Sequence, residues 1–322
     1  MRVEFAMKTV AMRIVIALVC VSCVSVAQAQ RYPSKPVRLL VGFSAGGSAD
    51  GSARSIATRM SEALGTTFVI ENRGGAGGSV AAQIVARAPA DGYTLLWSSP
   101  GALTISQIIE KNLPYDTATA FAPIGLALTF CNAIVVRNDS PFTSIEQLIA
   151  FAKQNPGQLR FGTQGVSSAG HLSSEMLQSM TGAAFTHVPY KGGGEILTAL
   201  LAGELQFGFV SSTTAGMLRN RTRVLAVTSL KRDPSLPDVP SLNEAGVKNY
   251  DATFWFGLLA PAGTPPAVIA LLNKQLRETL NDAEVARLSR SQGLNPTPST
   301  PQEFAALIKA DYAKWKAVLG AK

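Results

Sequence analysis

Residues 37–50 read Val37-Arg38-Leu39-Leu40-Val41-Gly42-Phe43-Ser44-Ala45-Gly46-Gly47-Ser48-Ala49-Asp50, and this order decides the fold class. A β-rich apolar run over 37–43 passes through a glycine–serine loop into an amphipathic helix expected over 52–64. The same unit recurs along the chain. Strands are expected at 68–70 and 93–97, with a helix over 79–88 between them. A second series follows, with strands at 132–136, 159–161, 185–188, 205–210 and 224–228. Helices over 144–154, 168–180 and 195–202 alternate with these strands. Such alternation is the pattern of an α/β fold.

Beyond a proline-rich stretch over 234–240, one more strand is expected at 253–260, then three helices. Thr264-Pro265 supplies a cap and a first-turn proline for the first of them. Thr300-Pro301-Gln302-Glu303 has the spacing of a capping box, in which hydroxyl and carboxylate each satisfy a nearby amide. Phe304, Leu307, Ile308, Tyr312, Trp315 and Leu319 then form one helical stripe, read as core packing. The two strand series place one domain at 30–130 and 229–322, with a second, 131–228, inserted into it. Two lobes joined by two crossing segments can close on a ligand by hinge bending.

Residues 1–29 read as a secretory signal. Arg2, Lys8 and Arg13 give the basic start, residues 14–26 the apolar core, and Ala27-Gln28-Ala29 the small-x-small cleavage pattern. The apolar run is shorter than the roughly 20 residues a membrane-spanning helix needs. Cleavage near Ala29 would deliver the mature chain to the periplasm with Cys131 as its one cysteine, which excludes an internal disulfide. The formal charge is +8. Arg2, Lys8 and Arg13, less Glu4, account for +2 of this, leaving +6 spread without basic runs or aromatic–basic interleaving. Nucleic acid is therefore not an expected partner.

Three chemistries compete for the first glycine loop. Gly42-Phe43-Ser44-Ala45-Gly46 matches the nucleophile-elbow pattern of serine hydrolases. It follows the first strand of the mature chain, however, where no earlier strand has built an oxyanion loop. Gly46 to Asp50 also delay the helix, so Ser44 would not sit on a tight turn. A dinucleotide site fails because Gly74, Gly75, Gly77 and Gly78 never fall at the required spacing. A metal site fails on inventory, since two histidines and one cysteine are widely separated. No cofactor is expected.

The remaining chemistry is anion capture. A strand entering a helix through Gly46-Gly47-Ser48 exposes backbone amides at the positive end of the helix dipole. Ser48 adds a hydroxyl, while Asp50 is read as an acceptor that fastens the loop or meets a ligand donor. A second loop of the same build runs Thr163-Gln164-Gly165-Val166-Ser167-Ser168-Ala169-Gly170-His171 in the inserted domain. Each loop alone is an ordinary glycine-rich connection. One in each lobe suggests a shared cleft.

At these residues the chain resembles the Bug family of periplasmic receptors that serve tripartite tricarboxylate transporters. The resemblance runs through Gly46-Gly47-Ser48-Ala49-Asp50, Glu71-Asn72-Arg73, Asp91-Gly92-Tyr93-Thr94-Leu95, His187-Val188-Pro189-Tyr190-Lys191-Gly192 and Pro261-Ala262-Gly263-Thr264-Pro265. It implies a two-lobed type II periplasmic binding protein of the Venus-flytrap class, which is a receptor and not an enzyme. It implies a small carboxylate ligand, mono- or dicarboxylate, held by amides of the two loops. Carried over by position, the contacts are Phe43, Ser44, Ala45, Gly46, Gly47, Ser48, Ala49, Asp50, Gln164, Gly165, Ser167 and Ser168, with His171 nearby. Ser98 and Ser99 close the first-lobe side, while Tyr190 and Ser211 line the rest. His171 is equally read as a packing residue at its helix start, and His187 as organising the turn before Tyr190. Relatives with amino-acid ligands place an acidic residue where this chain has Val210 or Ser211, which favours a ligand without an amine. The expected partners are membrane transporter subunits or, in a sensing role, a sensor kinase, and the receptor is expected to be a monomer.

Overall fold

Leu39, Leu40 and Val41 are buried on both faces of their strand, as a central parallel strand requires. The computed structural model of the chain describes residues 32–190 and 192–320, so the expected export signal and Lys191 lie outside the described residues. The chain divides into two units, Met1–Ser34 and Lys35–Lys322, and both sheets lie in the second. In the first sheet β1 (Val37–Val41) runs parallel to β2 (Phe68–Asn72) and β3 (Thr94–Ser98). Strand β10 (Phe254–Pro261) then lies antiparallel between β3 and β4 (Phe121–Phe130), and β11 (Asn295–Pro296) ends the sheet beside β4. The second sheet holds β5 (Asn132–Arg137), β6 (Arg160–Thr163), β7 (Thr186–Pro189), β8 (Phe207–Ser211) and β9 (Thr222–Val227), in the order β7-β6-β8-β5-β9. Helices alternate with the strands of both sheets, which gives the α/β, two-sheet architecture expected from the sequence.

The ten-residue strand β4 is not anticipated by the sequence reading, and Pro123 and Gly125 within it explain why. Proline cannot donate a ladder hydrogen bond, so in sheets it is confined to edges and bulges. Both conditions hold at Pro123. Strand β11 pairs only at Leu128 and Thr129, and the β4–β10 register slips between Leu258 and Leu259, opposite Pro123. The helix expected over 52–64 also starts earlier, at Ser48. Gly47 is its cap, and Asp50 in its first turn complements the dipole.

Only Cys131 separates β4 from β5, and the returning chain is stitched to this crossing. The Asn132 amide donates to Thr228 Oγ1 at 2.9 Å, and the Thr228 amide returns a bond to the Asn132 carbonyl at 2.9 Å. Phe130 and Phe254 face each other across the β4–β10 ladder just before the chain leaves the first sheet. The Cys131 thiol donates to Asp233, and burial, reinforced by that carboxylate, pushes it up to about 12. It is a structural group, not a reactive one. At the C-terminus the Thr300–Glu303 capping box is present, and Phe304 and Trp315 are fully buried on the expected stripe.

Candidate functional site

The first loop is held from beneath by Asp50, which is 4% exposed. Its carboxylate accepts from the Gly46 amide at 2.9 Å, Arg54 Nε at 3.0 Å and Asn72 Nδ2 at 2.9 Å. Asn72 also donates to the Phe43 carbonyl at 3.0 Å, so one cluster around buried Asp50 pins both ends of the loop. Gly46 has φ +89°, a left-handed conformation that glycine adopts without strain. Burial raises the Asp50 pKa, but the bonds from Arg54, Gly46 and Asn72 outweigh it and leave it below the ordinary carboxylate value. A depressed folded-state pKa stabilises above the ordinary carboxylate range and loses that contribution as pH falls through the folded value. The wild type should therefore melt higher than Asp50→Asn at neutral pH, and the two should converge in acid. Parallel melting curves from neutral pH to about pH 3 would refute this role for Asp50.

The second loop leaves β6 at Thr163 and enters the helix Ala169–Thr181, capped by Ser168, whose Oγ accepts from the His171 amide at 3.3 Å. Thr163 Oγ1 donates to the Gly165 carbonyl at 3.1 Å and stands 2.6 Å from His187 Nε2. His171 Nδ1 accepts from the Ser167 amide at 3.4 Å, and its ring lies 4.5 Å from that of His187. Burial lowers the His187 pKa, which favours the neutral ring. The two histidines shape this loop.

Both loops border one cavity of about 380 Å³, within the range of small-molecule pockets. Phe43, Gly47, Ser48, Ala49 and Ser99 line it from the first lobe, and Gln164, Ser167 and Ser168 from the second. A smaller compartment of about 190 Å³ shares Ser48 and Gln164 and adds Ser211, Asn132 and Gln292. None of the described residues lining either compartment carries a charged side chain. The helix starting at Ser48 has no side-chain cap at Gly47, and Gly47, Ser48 and Ala49 of this helix start border the space. Among the described residues no cluster of three or more His, Cys, Asp or Glu is placed to hold a metal ion.

The model of the tripartite tricarboxylate transporter receptor family matches residues 52–322. The chain belongs to that family. Protein BugT of Bordetella pertussis is 33% identical over 294 residues, covering 90% of each chain. Among solved structures, R. palustris Rpa4515 with adipate is 37% identical, covers 89% of this chain and 97% of that one, and superposes with a TM-score of 0.76. MatC from Rhodopseudomonas palustris with bound malate is 28% identical, with coverage of 89% and 99% and a TM-score of 0.74. The family and these structures are those of solute-binding receptors.

Within this Bug-family receptor the structure separates the residues singled out by sequence into two groups. Nine of them line the two compartments: Phe43, Gly47, Ser48, Ala49, Ser99, Gln164, Ser167, Ser168 and Ser211. The other eight do not. Ser44, Ala45 and Gly46 are exposed, Gly165 is half-buried, and Asp50 and Ser98 are buried. His171 faces His187, and the Tyr190 ring packs over Gly162. Ser44 follows β1 in the first sheet, and the two histidines of the chain lie beside each other in the second, bonded to Thr163 and Ser167 of their own loop.

The receptor's cavity also contains residues that sequence reasoning missed. Phe130, Phe254 and Phe256 come from the ends of β4 and β10, and Gln292 follows the helix Ala283–Ser291. A phenylalanine in an apolar strand reads as core, and nothing local distinguishes one that faces a cleft. The one available signal is position, because Phe130 adjoins the crossing between lobes.

Proposed function

We propose that this protein captures a small carboxylate in the periplasm and delivers it to the membrane subunits of a tripartite tricarboxylate transporter. The observation that carries this reading is the meeting of two helix starts, at Gly47–Ala49 and Ser167–Ala169, in one cavity whose described lining residues carry no charged side chain. Backbone amides and helix dipoles hold an anion without themselves titrating across the periplasmic pH range. The adipate and malate in two solved relatives are in keeping with this chemistry. The nine lining residues are the proposed contacts, residues 131–228 the inserted lobe, and residues 1–29 the export signal. Closure of the lobes about the two crossing segments follows if the ligand binds the closed form more tightly than the open one. The receptor works as a monomer, and binding involves no chemical step at Ser44.

A thermal-shift screen tests this reading. A carboxylate present at about a hundred times its Kd should stabilise the fold by roughly 2.7 kcal/mol. If neutral sugars or amines raise the melting temperature and no carboxylate does, the reading is wrong.

A further inference from the structure

We propose that the preferred ligand is an aromatic monocarboxylate whose ring lies against a phenylalanine wall. This rests on the carboxylate reading above and narrows it. The wall is built from Phe43, Phe130, Phe254 and Phe256, all lining the main compartment. Phe130 stacks on Phe256 at 5.0 Å and on Phe254 at 5.8 Å, with 27° between planes in each case, while Phe43 meets Phe256 edge-on at 5.7 Å and 81°. The wall is rigid because it is backed. Phe256 stacks on Trp97 and Phe254 on Trp315, and both tryptophans are fully buried. Phe43 and Phe130 remain only partly buried, so they offer ring surface to a ligand.

The two chemistries lie in one cavity: amides at the helix starts for a carboxylate, and a rigid aromatic surface for the remainder of the molecule. A flat arene fits such a surface by offset or edge-on contact, which a flexible alkyl chain reproduces less well and with more rotor freedom to lose. With the helix-start amides given to one carboxylate, a second would meet side-chain hydroxyls, side-chain amides and rings among the described lining residues, weaker partners for a buried charge than amides at the positive end of a helix dipole. The smaller compartment, with Asn132, Gln164, Ser211 and Gln292, suits a neutral polar ring substituent instead.

Titration calorimetry on the mature receptor with benzoate, hexanoate, adipate and benzyl alcohol tests this. Benzoate should bind about tenfold more tightly than hexanoate, the factor expected of one or two aromatic contacts, and more tightly still than adipate. In Phe43→Leu, a change at a partly exposed ring, the melting temperature should hold while the benzoate preference over hexanoate shrinks. Adipate or hexanoate binding as well as benzoate would overturn the aromatic assignment and leave the carboxylate reading intact. Benzyl alcohol binding where no carboxylate does would overturn both. An unchanged benzoate preference in Phe43→Leu, with benzoate still preferred in the wild type, would remove Phe43 from the wall and overturn the geometry proposed here.

Discussion

Gly47→Asp should leave the receptor as stable as its parent and weaken carboxylate binding by about a hundredfold or more. Gly47 caps the helix Ser48–Leu64 with φ −84° and ψ 173°, an extended conformation open to any residue, and an added Cβ would meet nothing within 4 Å. Aspartate is a better helix cap than glycine, by a few tenths of a kcal/mol, because its carboxylate accepts from the first-turn amides. Those are the amides proposed to receive the ligand. The new side chain therefore competes for them, and its charge repels the incoming anion. Two like charges about 4 Å apart at an effective dielectric near 20 repel by about 4 kcal/mol, which exceeds any gain from better capping. Gly47→Asn separates the two effects, since it caps without charge and should fall between parent and aspartate. Calorimetry paired with thermal melts reads both quantities. Unchanged affinity in a folded Gly47→Asp protein would place the ligand elsewhere.

The largest loss of stability from a single methyl group should come from Gly257→Ala. A Cβ at this position would lie 2.1 Å from Phe304 Cζ and within 2.9 Å of two further ring atoms. The ring has no room to retreat. Phe304 is 0% exposed and abuts Trp255 edge-on at 5.1 Å. Gly257 also sits at a register slip in β10, the strand paired on both sides by β3 and β4. Overpacking of this kind costs about 1–3 kcal/mol, and the upper end applies where the neighbour cannot move. The melting temperature should fall by roughly 5 °C. Phe304→Leu added to Gly257→Ala should recover part of the loss, because the clash is with the ring itself. Strict additivity of the two changes would show that the contact is not the cause.

Much of this molecule is legible in its local chemistry. The run Val37–Val41 announces a buried strand by composition alone, and Thr300 with Glu303 announces a helix start by spacing alone. A carboxylate placed like Asp50, just past a glycine loop, reads as fastening that loop, and the bonds from Gly46, Arg54 and Asn72 are of that kind. Legibility ends where a residue's local preference opposes its setting. Pro123 and Gly125 argue against a strand, and only the bulge and free edge around them make one possible. Glycine and serine at 47 and 48 argue against a helix, yet the first turn accepts them because its amides lack helical partners in any case.

The sequence by itself determined most of the elements, the Thr300–Glu303 cap and the two glycine loops, because those follow from propensities and hydrogen bonds within a few residues of each other. The cap expected at Thr264 forms one residue later, at Pro265. It also determined the family. The tertiary structure alone decided which side chains share a space. Ser48 and Gln164 border the same cavity because two separate sheets meet there, and Phe130, Phe254 and Phe256 turn a strand pair into its aromatic wall. His171, adjacent to the loop in sequence, lies against His187, and Tyr190 packs over Gly162. Proximity of this kind is set by the sum of long-range packing, which no local pattern encodes.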